Sequence, residues 1–295
     1  MKRYLIIFNP VAGKTKNYKW IDILEEKIKK NNDYVKIIET EHINHARTVA
    51  KEESGKYNVI VAAGGDGTLN EVVSGIIDSG EKTAMGILPI GSGNDYYRIL
   101  NRPDNLEEAI EMILNGSCKT VDVGKGEDGK YLLNIASIGL DCLTVKTAQK
   151  LKKRIGGSLA YFIALLYSLL KFKKQNFKIY IDEKEIVSNS VLFCFGKGRT
   201  YGGGIGMMPW SKKSDGLFHI VNIVDIKKVF LLILAPSIIF GLHTKFKKYV
   251  KVYTAKKIRV ESEDKFDFNL DGEIIEGKRS IEYTCIPNAI NILTK

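Results

Sequence analysis

Hydrophobic and polar positions follow one pattern in the first third of this chain and another in the rest. Residues 4–8, 35–38, 59–63 and 84–89 are short, nearly all-apolar runs that read as buried strands. Between them, apolar residues recur three and four apart. Residues 18–30, with Trp20, Ile23, Leu24 and Ile28 on one side, read as a helix. So do residues 42–53, 69–79 and 106–115. Repeated β–α units with uniformly apolar strands predict a parallel sheet with helices on both faces. Ligands of such sheets bind beyond the carboxyl ends of the strands.

From about Val121 the pattern changes. Val123 and residues 131–136, 178–181, 190–195, 217–224, 256–260, 266–270 and 281–286 read as strands. Turn signals such as Glu127-Asp128-Gly129 and Ser214-Asp215-Gly216 separate them. This predicts a mainly antiparallel β domain, a sandwich or barrel, over residues 122–286. Residues 1–121 form the α/β domain, to which residues 287–295 are expected to return. Two apolar segments interrupt the strands. Residues 155–170 are bracketed by Lys150, Lys152, Lys153, Arg154 and by Lys171, Lys173, Lys174; residues 229–242 contain Pro236 and Gly241. Both fall short of the roughly 20 apolar residues that a membrane span needs. Each reads either as a helix buried on the sheet or as one lying at a bilayer interface.

Charge sharpens this picture. Residues 1–121 hold 16 Lys/Arg against 17 Asp/Glu, and residues 122–295 hold 29 against 17. The basic excess lies wholly in the β-rich part, which suggests an anionic partner, either nucleic acid or an anionic membrane surface. No motif or aromatic platform for base readout accompanies it, so nucleic acid is not expected. The basic series Lys245, Lys247, Lys248, Lys251, Lys256, Lys257, Arg259 is one candidate surface and the bracket around residues 155–170 is another. Cys118, Cys142, Cys194 and Cys285 are scattered, and Met1-Lys2-Arg3 leads directly into a strand. A reduced, cytoplasmic setting is the expectation. The four histidines do not cluster with cysteines, so no zinc site is expected.

The chemistry concentrates in three loops that end strands. Gly64-Gly65-Asp66-Gly67-Thr68-Leu69-Asn70-Glu71 joins an apolar strand to a helix, where backbone N–H groups and the helix dipole favour an anion. A carboxylate in such a loop is repulsive toward phosphate unless a cation lies between them. The economical reading is a nucleotide phosphate site with magnesium near Asp66. Asn9-Pro10-Val11-Ala12-Gly13-Lys14-Thr15 ends like a Walker A loop, but its first glycine position is Phe8, which excludes a P-loop. The turn can still present Asn9 and Lys14 to a cleft. Pro89-Ile90-Gly91-Ser92-Gly93-Asn94-Asp95 is the third loop. Taken singly, each is also explained as a plain turn.

In order, the segments N-P-x-x-G from Asn9, G-G-D-G-T-L-N-E from Gly64, P-I-G-S-G-N-D from Pro89, N-I-A-S-I-G-L-D from Asn134, Y-G-G-G from Tyr201, S-D-G-L from Ser214 and D-G-E from Asp271 resemble the diacylglycerol kinase catalytic-domain family of bacterial lipid kinases, related to sphingosine kinases. The G-G-D-G-T loop is also similar to those of NAD kinases and phosphofructokinases. The resemblance implies an NAD kinase- and phosphofructokinase-like α/β domain followed by a β-sandwich. It implies transfer of phosphate from ATP to a membrane lipid hydroxyl, most simply that of diacylglycerol; a soluble acceptor of the NAD kinase or phosphofructokinase type is the alternative. It also implies roles: Gly64 to Glu71 hold phosphates, Asp66 lies near catalytic magnesium, Thr40 and Ser92 contact the nucleotide, and Glu273 is the general base. A structural magnesium would be held by the Asp215 side chain and by the carbonyls of Lys212 and Leu217. Peripheral association with the inner face of the membrane follows from the same reading. The oligomeric state is left open, a homodimer included. Asp271-Gly272 and Ser214-Asp215-Gly216 also read simply as hairpin turns.

Overall fold

The structure is a computed structural model. It describes all residues except 14–17, 92, 101–104, 153–154, 156, 201–203, 228–229, 232–233, 235–236 and 239. The chain divides into two compact units: Met1–Val123 with Pro287–Lys295, and Gly124–Ile286.

The first unit is built on a parallel sheet. Strands β1 (Arg3–Phe8), β2 (Tyr34–Glu39), β3 (Val59–Gly64) and β4 (Ala84–Pro89) lie in the order β2-β1-β3-β4. Beyond β4, Ile292 pairs in parallel with Met85. Every residue of β3 is buried, as the uniform apolar run requires of a central strand with both faces covered. Around the sheet stand α1 (Tyr18–Lys30), α2 (His45–Glu53), α3 (Asp66–Ser79), the short α4 (Asp95–Ile99) and α5 (Leu106–Asn115). Helix α1 buries Ile21, Leu24 and Ile28, and Asn105 caps α5 by accepting the Glu107 amide at 2.8 Å.

Two helix starts differ from the sequence reading. Helix α2 begins at His45 rather than at residue 42, because Asn44 adopts a left-handed conformation (φ 68°) that closes the preceding turn. His42 therefore lies outside the helix, its ring stacked on His45 at 4.9 Å. Helix α3 begins at Asp66 rather than at Leu69. Gly65 is its extended N-cap residue, so most of the glycine-rich motif is already the first turn of a helix.

The second unit is a curled antiparallel β-sandwich. It contains the end of β5 (Ser117–Gly126), β6 (Tyr131–Leu132), β7 (Ile135–Gly139), β8 (Gln175–Ile181), β9 (Lys184–Gly196), β10 (Phe218–Val224), β11 (Val250–Ala255), β12 (Lys257–Leu270) and most of β13 (Glu273–Thr294). The long strands β9 and β12 are bridged twice, by β8 at one end and β7 at the other. The curl encloses an aromatic core of Phe177, Phe193, Phe195, Phe218, Phe266, Phe268 and Tyr283. Alternate residues of β9, Leu192 and Cys194, point to a second core with Leu169, Val221, Ile223, Leu231 and Leu234.

Helices α6 (Leu140–Lys152) and α7 (Gly157–Lys171) follow β7. Helix α6 and strand β11 were not anticipated from the sequence. The apolar segment read at residues 155–170 is helical from Gly157, as α7. Ala160, Ala164 and Ser168 are fully buried on one face, while Leu159, Phe162, Ile163, Leu166, Tyr167 and Leu170 are exposed on the other. Among the described residues, no helix is long and apolar enough to cross a membrane.

Candidate active site

In the first unit, the three strand-ending loops come together. Asn9 leaves β1 with its amide bonded to the Ala63 carbonyl at 3.0 Å. Its side-chain Nδ2 then donates to Thr68 Oγ1 at 3.0 Å, tying the first loop to the second. The Gly91 amide donates to the Gly64 carbonyl at 3.1 Å, tying the third loop to the second. Close approach explains two glycines: a Cβ on Gly64 would overlap the Thr68 side chain, and one on Gly91 would overlap the Gly65 backbone. Gly67 differs, since a Cβ there would meet nothing within 4 Å. It is exposed in the first turn of α3, whose N-terminus has no side-chain cap. A helix start with unspent amides and open space is suited to an anion.

The other residues of the motif face inward or sideways. Thr68 and Leu69 are buried. Asn70 Oδ1 accepts the Ser74 hydroxyl at 3.2 Å. The Glu71 carboxylate accepts the amides of Asn44 and Ala46 at 3.0 and 3.2 Å and so caps α2. Asp66 accepts the amides of Asp95 and Tyr96 at 3.1 and 3.0 Å and so caps α4. Thr40, at the end of β2, donates its amide to the Phe8 carbonyl at 2.8 Å. Lys14, Ser92 and Tyr201 lie outside the described residues.

In the second unit, Asp271 and Gly272 form a two-residue turn between β12 and β13, with φ of 51° and 96°. The hairpin reading of this motif is therefore right locally. The turn does more, because the Asp271 carboxylate accepts the amides of Leu133, Asn134 and Ile135 at 2.8, 2.9 and 3.1 Å. This fixes the gap between β6 and β7 at the start of the Asn134-to-Asp141 motif. Asn269, two residues before the turn, donates to Asp141 at 2.7 Å, and Ser137 donates to the same oxygen at 2.5 Å. Glu273 opens β13 immediately after the turn. Its side chain is 70% exposed, with the Lys130 ammonium 3.5 Å away.

The Ser214-to-Leu217 segment carries a cation of its own. Lys197 Nζ donates to Asp215 Oδ1 and to the Leu217 carbonyl, each at 2.6 Å. His219 Nε2 lies 2.9 Å from the other carboxylate oxygen of Asp215. Burial pushes the Asp215 carboxyl up, but Lys197, with the Leu217 amide and His219, more than reverses this and holds it below the usual carboxylate range. Burial pushes His219 down despite the neighbouring Asp215.

The comparisons with known proteins agree across the chain. Residues 3–126 match the model of the diacylglycerol kinase catalytic domain, and residues 134–294 that of the YegS C-terminal NAD kinase beta sandwich-like domain. A diacylglycerol kinase of Staphylococcus saprophyticus is 33% identical over 274 residues, covering 92% of this chain and 89% of that protein. One from Staphylococcus epidermidis is 31% identical, covering 99% and 92%. The chain belongs to the diacylglycerol kinase family. It is accordingly an ATP-dependent lipid kinase. A crystal structure of a diacylglycerol kinase from Bacillus anthracis strain Sterne shares the fold, with a TM-score of 0.75 at 22% identity, covering 100% of this chain and 97% of that one.

Two metal sites implied by the family meet this kinase's residues differently. Each Asp66 oxygen takes one amide hydrogen and keeps lone pairs. Magnesium in phosphoryl-transfer sites is commonly held by one or two carboxylates plus the substrate's phosphates. Asp66 fits that share of the coordination. The set of Asp215, Lys212 and Leu217 does not fit a divalent ion as arranged. An ion on Asp215 Oδ1 and the Leu217 carbonyl would need the volume that the Lys197 ammonium fills. Sequence reading missed Lys197 as a member of this site, and missed Asn269 and Asp141 as partners of the D-G-E turn. Lys197 stands in Gly196-Lys197-Gly198, beside the Tyr201-to-Gly204 motif, and that placement was the available signal.

Proposed function

We propose that this kinase transfers the γ-phosphoryl group of ATP to the primary hydroxyl of diacylglycerol, giving phosphatidic acid and ADP. The observation that carries this reading is the uncapped start of α3, open at Gly67 and clamped by the flanking loops through Asn9 and Gly91. The amides of this turn hold the nucleotide's phosphates, with Asn9 and Thr40 beside them. Asp66 would hold magnesium, which when bound would supply charge neutralisation for the phosphate oxygens. Glu273 accepts the hydroxyl proton as the lipid oxygen attacks phosphorus and the bond to the ADP oxygen breaks. The Asp271 carboxylate positions Glu273 by fixing the turn that precedes it. Lys14 and Ser92 remain candidate nucleotide contacts.

Helix α7 supports work at a lipid surface. Its bulky apolar side chains face outward, with Lys171, Lys173 and Lys174 exposed at its C-terminal end and Lys150 exposed on α6. Such a helix suits the headgroup boundary of an anionic membrane, where each nearby lysine contributes about 1 kcal/mol. A cavity of about 340 Å³ beside its C-terminus is lined by Leu169, Phe172, Val191, Ile226 and Leu231, with Lys173 and Lys174. We place the enzyme in the cytoplasm, bound peripherally to the inner face of the membrane.

The test is a phosphorylation panel with labelled ATP and mixed micelles of diacylglycerol, phosphatidylglycerol or a long-chain base, alongside NAD and fructose 6-phosphate. Product mass identifies the acceptor. Phosphatidic acid as the main product supports the reading. Label transferred only to a soluble acceptor overturns it.

A further inference from the structure

We propose that Lys197 is a built-in cation that replaces the structural magnesium of the Asp215 loop, so that this loop is held without metal. Three observations carry the inference. The ammonium bonds both the Asp215 carboxylate and the Leu217 carbonyl at 2.6 Å, and these are the oxygens a metal would use. The Lys197 side chain is only 3% exposed, so it is committed to this position rather than sampling solvent. The surrounding backbone is shaped around it. The Lys197 amide donates to the Asn134 carbonyl at 2.9 Å, and the Ser211 hydroxyl donates to the Lys197 carbonyl at 2.9 Å. The Arg199 Nε donates to the Ser211 carbonyl at 3.0 Å. Lys197 and Arg199 are thus both bound to Ser211, in the segment that opens the Asp215 loop.

The electrostatics favour the lysine as occupant. A divalent ion entering beside a buried ammonium would face like-charge repulsion, and displacing the lysine would leave its charge unpaired in the interior. His219 Nε2 lies 2.9 Å from the remaining Asp215 oxygen and takes the Lys212 amide at 3.2 Å, so both Asp215 oxygens already have a partner. The contribution of Lys212 is then its place in the loop rather than coordination through its carbonyl.

Thermal unfolding of the full chain without nucleotide tests the proposal. The wild-type midpoint is expected to be the same in EDTA and in millimolar magnesium or calcium chloride. Lys197→Asn shortens the side chain and frees both oxygens. Its midpoint in EDTA is expected to fall by at least about 6 °C, and magnesium or calcium should restore much of the loss. Adding Asp215→Asn should abolish that restoration. A wild-type midpoint that rises with magnesium, with the rise lost in Asp215→Asn, would overturn the proposal. So would a Lys197→Asn protein that melts like wild type in EDTA. If Lys197→Asn does not fold, calorimetric titration of wild type and Asp215→Asn with magnesium chloride decides: saturable binding that depends on Asp215 refutes the inference, and its absence supports it.

Discussion

The Asp66 carboxylate accepts the Tyr96 backbone amide at 3.0 Å, so a residue in the first turn of α3 caps α4. Its other oxygen does the same for Asp95. Asp66→Asn leaves one acceptor for two amides and weakens any bond to magnesium. Turnover is expected to fall by roughly 100-fold or more. Activity measured across a magnesium series separates the two roles. A metal-holding Asp66 gives a variant needing more magnesium, whereas a purely capping Asp66 gives one with an unchanged magnesium midpoint.

Glu273→Gln keeps the shape of an exposed side chain and removes its basicity. The turnover number should drop by about 10²- to 10⁴-fold, while calorimetric ATP affinity and the melting midpoint stay at wild-type values. Near wild-type turnover in this variant means the base lies elsewhere.

Gly91 and Gly67 should respond to alanine in opposite ways. At Gly91 the new methyl group overlaps Gly65, and about 1–3 kcal/mol of stability should be lost. At Gly67 the methyl group meets open space, so denaturant unfolding should be unchanged or slightly improved, since alanine favours a helical turn. Yet ATP affinity should fall, because the proposed function brings the phosphates into that space. Unaltered ATP affinity in Gly67→Ala would place the phosphates away from this turn.

His243 is fully buried, and burial pushes its imidazole below the ordinary value of 6.5, with the Met207 backbone opposing only in part. The neutral form is therefore the folded form. Its contribution to stability is complete above about pH 6.5 and is lost as pH falls toward the depressed folded value. Stability curves measured from about pH 7 to pH 5 should be steeper for wild type than for His243→Gln. Parallel curves would show that another group sets the acid limit.

Phe162 and Leu166 lie on the outer face of α7 and are exposed, so changing both to glutamine should leave the melting midpoint close to wild type. Binding to phosphatidylglycerol-rich vesicles in sedimentation assays should fall about tenfold or more, since roughly 1.5–3 kcal/mol accompanies burial of each such side chain. Equal vesicle binding by the double variant removes α7 from the membrane contact.

The α/β half was legible because its strands are uniformly apolar and its helices keep a clean 3.6-residue period. The bounds of α1, β4 and α5 were read directly from that pattern. The start of α3 was not, since Gly64, Gly65 and Gly67 signal a loop, and the first turn of a helix needs no apolar residue. Helix α6 interleaves Lys146 and Lys150 with Thr144, Thr147 and Gln149, which blurs its buried face. Strand β11 escaped because Lys251, Val252 and Thr254 all face water, as an edge strand allows. The common place of the three loops at strand ends was read from the same pattern. What no local pattern can show is side-chain reach: Lys197 and Asp215 are 18 positions apart, and only the fold brings ammonium to carboxylate.

The Glu71 cap has a mechanical consequence. It joins the start of α3 to the first amides of α2, and Arg47 on α2 is in turn paired with Asp78 at the far end of α3 at 2.6 Å. Gly75 leaves no slack between the helices, since any side chain there would strike the Arg47 carbonyl. Pinned at three levels, α2 and α3 behave as one lever. A shift of the first turn of α3 should therefore carry with it the segment between β2 and α2, where Thr40 stands.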